Sequence, residues 1–286
     1  MLQYPEINPV ALNIGVLQIH WYGLSYLVGI CLVWLNLYFR ARRDKLQWDS
    51  ESISDIVFYS VAGVLVGGRL GYTFFYNYDQ FISEPLIIFK IWRGGMSFHG
   101  GLLGVLFAIA IYSLKKRIQY FRVTDFIAPS IPIALCCGRL GNFINTELPG
   151  RFSNVPWALI FPGETLGRHP SSLYQAILEG PILFFFLWAF SKGNRPIMSV
   201  SAFFLISYGA LRTISELFRA PDTHIGFLFV GTTMGQLLSL PMILLGLLLM
   251  WISYRQKGSR LLNQKYAALF VPQLIRLVVK LMFRTR

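Results

Sequence analysis

Three apolar stretches of this chain each carry an arginine near one end: Gly67-Gly68-Arg69-Leu70-Gly71-Tyr72, Cys137-Gly138-Arg139-Leu140-Gly141-Asn142 and Tyr208-Gly209-Ala210-Leu211-Arg212. An arginine at mid-bilayer costs about 2.5–3.5 kcal/mol on insertion scales, so it persists only where it meets a counter-charge, water or an anionic ligand. In a membrane the anion at hand is a phospholipid phosphate. A planar guanidinium fork grips such a group through two parallel hydrogen bonds, which a lysine cannot do. The chemistry these residues suggest is therefore phosphate recognition below a membrane surface.

Elements able to hold such groups follow from composition. Of 286 residues, 55% are hydrophobic, 16% aromatic and only 14% charged, whereas about a quarter of a soluble domain is charged. The chain reads as an all-α integral membrane protein. Apolar runs of spanning length lie at Val16–Tyr38, Ile56–Tyr76, Trp92–Leu114, Phe126–Leu140, Leu173–Phe190, Ile197–Leu217 and Thr232–Tyr254, giving seven transmembrane helices. The fourth run is the shortest and is interrupted by Pro129 and Pro132, which a membrane helix tolerates when neighbours satisfy the freed backbone groups. No basic segment precedes the first run and it exceeds a signal-peptide core, so it reads as a retained anchor. Cys31, Cys136 and Cys137 fall inside predicted spans without metal-ligand spacing and are expected to be unpaired.

The formal charge of +13 raises the question of nucleic acid. Its distribution answers it: most lysines and arginines cluster at Arg40–Lys45, Lys115–Arg122, Lys192–Arg195 and Arg255–Arg286, which are alternate connections. By the positive-inside rule these face the cytoplasm, which places the N-terminus outside and the C-terminus inside. The basic excess is a topology signal, and no nucleic-acid partner is expected.

Threaded that way, the unusual polar residues converge on the outer side. His20 and Tyr22 open span one, His99 lies near the start of span three, and His169, Ser171, Ser172 and Tyr174 open span five. Arg69 and Tyr72 close span two, Arg139 and Asn142 close span four, and Tyr208, Arg212, Glu216 and Arg219 close span six. On span six those four residues fall within about 80° of one helix face. Arg212 and Glu216, at i and i+4, could equally form a structural ion pair. Glu147, Glu179, Glu216 and Asp125 are the candidate buried partners for the arginines, which outnumber them.

Gly63, Gly67 and Gly71 repeat every fourth residue and Gly100 and Gly104 form a second pair, a spacing that lets membrane helices pack closely. The glycine density of Gly94-Gly95-Met96-Ser97-Phe98-His99-Gly100-Gly101 predicts an irregular segment. Residues 141–170 form a long outer connection, read as a small extramembrane cap between helices 4 and 5. Residues 1–255 thus make one transmembrane domain. Residues 256–286, with Arg276, Lys280 and Arg284 at helical spacing, read as a basic amphipathic cytoplasmic tail or, alternatively, a frayed one.

The motifs His20-Trp21-Tyr22-Gly23, Gly67–Tyr72, Gly94–Gly101, Gly138–Asn145, Arg168-His169-Pro170-Ser171, Tyr208–Arg212 and Arg219-Ala220-Pro221-Asp222 resemble those of the bacterial prolipoprotein diacylglyceryl transferases, in family order across residues 5–255. The resemblance implies a multi-pass inner-membrane enzyme with its site toward the periplasm. It would move the diacylglyceryl group of phosphatidylglycerol onto the lipobox cysteine thiol in the signal peptide of a preprolipoprotein, releasing glycerol phosphate without a cofactor or metal. Membrane lipids are its other expected partners, and its oligomeric state is left open. Carried over by motif, the essential positions are His99, Arg139, Asn142, Glu147, Gly150, Tyr22, Tyr208, Arg212, Glu216 and Arg219.

The reaction explains the residue types. A thiolate is the nucleophile and a free thiol has a pKa of about 8.5, so a group must accept or bias its proton. His99 fits that role, a satisfied core histidine being the alternative reading. Arg139 and Arg212 would hold the phosphate as it gathers charge, with Glu147 orienting an arginine. Substrate-binding candidates are Tyr22, Arg69, Asn142, Gly150, Tyr208, Glu216, Arg219 and His169; Arg69 either shares in this or pairs with a neighbour. Thr146, Pro149 and Gln175 depart from the family pattern, where a small residue, an aromatic and an acid are expected. An anionic-lipid or organic-anion transporter would also need inward arginines. Against it, the chain shows no inverted repeat, and its polar groups gather on one side only.

Overall fold

The computed structural model describes residues 1–15, 17–43, 48–90, 94–221, 226, 228 and 231–256. The predicted tail helix lies outside them. Helices dominate: α1 (Trp21–Arg43), α2 (Ser50–Tyr76), α3 (Tyr78–Ser83), α4 (Phe98–Lys116), α5 (Tyr120–Ile127), α6 (Ile131–Ile144), α7 (Ser171–Ile177), α8 (Leu183–Ser191), α9 (Ser199–Glu216) and α10 (Met234–Gln256). Short strands pair as two ribbons, β1 (Leu2–Gln3) parallel to β4 (Leu159–Ile160), and β2 (Val10–Ile14) antiparallel to β3 (Leu17–His20).

Six helical segments are long and apolar enough to cross a membrane: Trp21–Arg43, Ser50–Tyr76, Phe98–Lys116, Tyr120–Ile144, Ser171–Ser191 and Met234–Arg255. They answer six of the seven predicted runs, with shifted ends. The first begins at Trp21, because the preceding residues pair as β3. The third begins at Phe98, where Ser97 accepts from the Gly100 N–H as a helix cap; Gly94 and Gly95 before it have φ of 75° and 82°. The fourth is longer than expected: α5 and α6 join through a 3-10 turn at Ala128–Ser130 that contains Pro129, and Pro132 sits in the first turn of α6, where its missing N–H is harmless. The fifth is broken by a π-helical turn, Leu178–Ile182, where Gly180 leaves helical geometry (φ −95°, ψ −107°) ahead of Pro181. The sixth predicted run is a helix, α9, of 18 residues, and is not among the six. Its polar stripe dilutes its apolar character.

The chain divides into two compact units, one of Met1–Leu37 with Asp125 to the end of α10, the other containing Tyr38–Thr124. In the second unit α2 packs on α4 through glycines. A Cβ on Gly67 would stand 2.3 Å from the Gly100 carbonyl oxygen, and one on Gly104 would stand 2.1 Å from that of Gly63. The backbones touch, as the spacing predicts. Arg69, only 4% exposed, spends its guanidinium beside this seam: it donates to the carbonyls of Ile87, of Ile88 at 3.1 Å, of Lys90 at 3.0 Å, of Gly94 at 2.5 Å and of Gly95 at 3.2 Å. Of the two readings for Arg69, a local structural partner is what this arrangement favours, though the partner is a loop backbone and no carboxylate.

In the first unit the core is Ala128, Leu183, Leu187, Val200, Tyr208 and Leu211. Asp125, a candidate counter-charge for the arginines, serves as the start signal of α9: its carboxylate accepts from the N–H groups of Met198 (2.6 Å) and Ser201 (2.8 Å) and from the Ser201 hydroxyl (2.6 Å). That anchors the helix whose other end carries Tyr208, Arg212 and Glu216.

Candidate active site

The π turn does the first piece of positioning. Inserting it rotates Glu179 toward the unit's interior, where the residue is wholly buried. A bare carboxylate there is untenable unless paired, and it is paired twice. Its Oε2 accepts from Arg139 Nε at 2.9 Å and its Oε1 from Arg212 Nη1 at 3.1 Å. Arg212 also pairs with Glu216 one turn on, and Glu216 accepts from Arg219 Nη1 at 3.3 Å. Thr233, just before α10, donates to the other Glu216 oxygen at 2.8 Å. A Cβ at Gly235 would lie 2.5 Å from the Glu216 carboxyl carbon, so only glycine lets that carboxylate in.

The chain of partners runs Arg139, Glu179, Arg212, Glu216, Arg219. Three guanidiniums share two carboxylates, so these five side chains carry a net charge of +1. Each arginine keeps a little exposure, between 11% and 17%, while both carboxylates are sealed. The guanidiniums are thus what the network presents outward. Tyr208, one turn before Arg212, is buried within electrostatic reach of Glu179, Arg212 and Arg139.

A second group gathers at the C-terminal end of α6. Glu147 accepts from the side-chain amides of Asn142 (2.6 Å) and Asn145 (3.2 Å), and its own N–H donates to the Asn142 carbonyl at 2.9 Å. The expectation that Glu147 orients an arginine is corrected here: its carboxylate is exposed and held by amides. Tyr22, on α1, lies 3.1 Å from the Tyr26 hydroxyl and within electrostatic reach of Glu147. Gly141 makes this possible, since a Cβ there would meet Ser25 Oγ at 2.4 Å and the Tyr22 ring at 3.1 Å.

The cap links the two groups. Gly150 bridges Arg219, and a Cβ on Gly150 would stand 2.0 Å from the His169 carbonyl oxygen. Arg168 donates to the Gly150 carbonyl at 3.0 Å and pairs with Glu164 at 2.6 Å. Trp157 Nε1 donates to the Tyr174 hydroxyl at 2.6 Å, which lies 3.1 Å from His169 Nδ1. Burial pushes the His169 imidazole below its ordinary value. His99 and Arg69 belong to the second unit. His99 is exposed at the second position of α4, its ring edge-on to Phe98, which removes the core-histidine reading.

Comparison with known proteins decides the family. The model of the family described as "Prolipoprotein diacylglyceryl transferase" matches residues 9–252. A phosphatidylglycerol–prolipoprotein diacylglyceryl transferase of Pseudomonas paraeruginosa is 51% identical over 262 residues, covering 91% of this chain and 98% of the relative. One of the same name from Coxiella burnetii is 49% identical over 259 residues, covering 90% and 99%. The chain belongs to the prolipoprotein diacylglyceryl transferase family.

In this family member, one position of the site carried little signal in the sequence: Arg151 sat in a connection where arginines are usually solvated. Glu179 was one of four candidate partners for the arginines, and the sequence did not say which of the four would pair. The transferase's first-unit candidates, Tyr22, Arg139, Asn142, Glu147, Gly150, His169, Tyr208, Arg212, Glu216 and Arg219, fall within the set of contacts just described.

Proposed function

We propose that this multi-pass membrane protein transfers the diacylglyceryl group of phosphatidylglycerol to the cysteine thiol of a prolipoprotein, the first step in lipoprotein maturation. The activity is that named for its relatives, and the observation that carries it in this chain is the Arg139–Glu179–Arg212–Glu216–Arg219 network. Its three guanidiniums, each keeping some exposure, suit a phosphodiester monoanion. In the reaction the thiol sulfur bonds to the glycerol carbon bearing the phosphate ester, that C–O bond breaks, and glycerol phosphate leaves with the bonding pair.

Arg139 and Arg212 bind the phosphate and stabilise the charge it gains, an effect worth several kcal/mol where water is excluded. Tyr22, Asn142, Tyr208 and Arg219 orient the headgroup through hydrogen bonds, and Glu216 orients Arg212 and Arg219. Glu147, held by two amides, keeps Asn142 turned to its task. Gly150 and His169 position the cap. His99 takes the thiol proton. Arg69, with its donors on carbonyls, shapes the segment preceding His99 and binds no lipid.

The substrate is a lipobox cysteine within a signal peptide. The enzyme lies in the inner membrane with α9 as a seventh span, the N-terminus outside and the site toward the periplasm. Supporting that orientation, Arg40, Arg42 and Arg43 end α1, Lys115 and Lys116 end α4, and Arg255 ends α10. Residues 1–255 form the catalytic domain and 256–286 a basic tail at the inner leaflet.

The test is purified protein in detergent with phosphatidylglycerol and a lipobox peptide, reading thioether product and released glycerol phosphate. Wild-type protein should yield both in equal amounts. Arg139→Ala and His99→Ala should yield neither; wild-type turnover in both would refute the assignment of roles.

A further inference from the structure

Arg151 stands one residue beyond Gly150 of the cap; its carbonyl accepts from the His169 N–H at 3.0 Å, and three of its donors reach the end of α9. Its backbone N–H donates to the Phe218 carbonyl at 2.9 Å, its Nε to the Arg219 carbonyl at 3.0 Å and its Nη2 to the Glu216 carbonyl at 3.5 Å. Just before it in the chain, Gly150 bridges Arg219 and the Pro149 carbonyl accepts from the Ala220 N–H at 3.0 Å. The segment Pro149–Arg151 is a clasp laid along residues 216–220.

A helix leaves its last carbonyls without intrahelical partners. In α9, Ile214 and Ser215 recover theirs by tightening the final turn, accepting from the N–H groups of Leu217 and Phe218 at 3.2 Å each. The Glu216 carbonyl goes to Arg151. Glu216 is also the residue whose side chain holds Arg212 and Arg219. Arg151 therefore grips, from the backbone side, the same turn whose side chains form the end of the anion-binding network, and a positive charge at a helix C-terminus is electrostatically favoured as well.

We infer that Arg151 is a positioning residue of the transferase: by bonding the carbonyls of Glu216 and Arg219 it fixes the last turn of α9, so that Arg219 stays on Glu216 and the headgroup meets a preset array. The inference rests on the proposed function above. Lysine cannot replace it, because one ammonium on a flexible stem does not span two carbonyls as the edge of a guanidinium does.

The experiment measures KM for phosphatidylglycerol and kcat in full-length wild type, Arg151→Ala and Arg151→Lys, in detergent with the lipobox peptide. Both variants should show KM raised about tenfold, the usual scale for losing a charge-assisted hydrogen bond, with kcat within about twofold of wild type. Millimolar methylguanidinium should restore KM in Arg151→Ala and leave Arg151→Lys unchanged. An unaltered KM in Arg151→Lys, which keeps the charge at the helix end, overturns the inference. So does a defect in Arg151→Ala that methylguanidinium does not reverse, the mark of a merely structural cap. Absence of turnover in wild type would instead overturn the functional reading.

Discussion

Glu179 takes the Nε–H of Arg139 at 2.9 Å from a π-helical turn, and the same carboxylate takes Arg212 at 3.1 Å. Two cations from different helices thus share one sealed anion. Removing one member of a buried pair costs about 3–5 kcal/mol, because the partner's charge stays behind. Glu179→Ala is therefore expected to lower the thermal unfolding midpoint in detergent by several degrees and to abolish turnover. A midpoint equal to wild type would show that the bridge holds nothing together.

Arg212 sits between two carboxylates, bonding Glu179 through Nη1 and Glu216 through Nη2. A lysine ammonium reaches one of these at a time and offers no fork to a phosphate. Arg212→Lys should accordingly behave as a severe change: kcat falls about a hundredfold, the scale for losing one preorganised donor to a developing oxyanion. Steady-state kinetics at saturating lipid measure it, and retention of more than a tenth of wild-type kcat would refute the bridging role.

Much of this was legible in the sequence, and the exceptions have physical reasons. Six apolar runs and the glycine seam of α2 and α4 were readable because period and spacing are local properties. The four-residue stripe of α9 was readable for the same reason. What spacing could not supply was partner choice across sequence distance. That Asp125 meets the N-terminus of α9 depends on the left-handed Met198 (φ 81°), which no spacing in the sequence marks. Glu147 lies only five residues from Asn142, and its pairing with amides follows from a turn geometry that residue identities alone do not dictate. Arg69 met five carbonyls, which carry no signature in a sequence.

His169 should make cap stability depend on pH. Burial depresses its pKa below the ordinary 6.5, so the folded cap binds fewer protons than the unfolded chain in the interval beneath that value. Stability is then fully present above about pH 6.5 and is lost as pH falls toward the folded value. Thermal unfolding at pH 7.5 and pH 5.5 should show a larger drop in wild type than in His169→Asn, which keeps a polar partner near Tyr174 and cannot titrate. Equal drops would place the pH sensitivity elsewhere.

Thr146 holds φ at 55° and Leu148 at 58°, placing left-handed backbone on both sides of Glu147. A left-handed residue other than glycine costs roughly 1–2 kcal/mol, and a β-branched one sits at the unfavourable end. Thr146 offsets little of this, since its hydroxyl bonds only the neighbouring Asn145 carbonyl, at 2.7 Å on the exposed surface. Thr146→Gly relieves the strain and loosens the unfolded chain by up to about 1 kcal/mol, leaving a net gain of about 0.5–1 kcal/mol. The midpoint of thermal unfolding should rise by a few degrees. Turnover should stay within about twofold of wild type, because the contacts that hold Glu147 in place come from Asn142, Asn145 and the Ser171 hydroxyl on the Leu148 carbonyl (2.6 Å), none of which uses the Thr146 side chain. A gain in stability accompanied by lost turnover would mean that the strained backbone itself aims the Glu147 carboxylate.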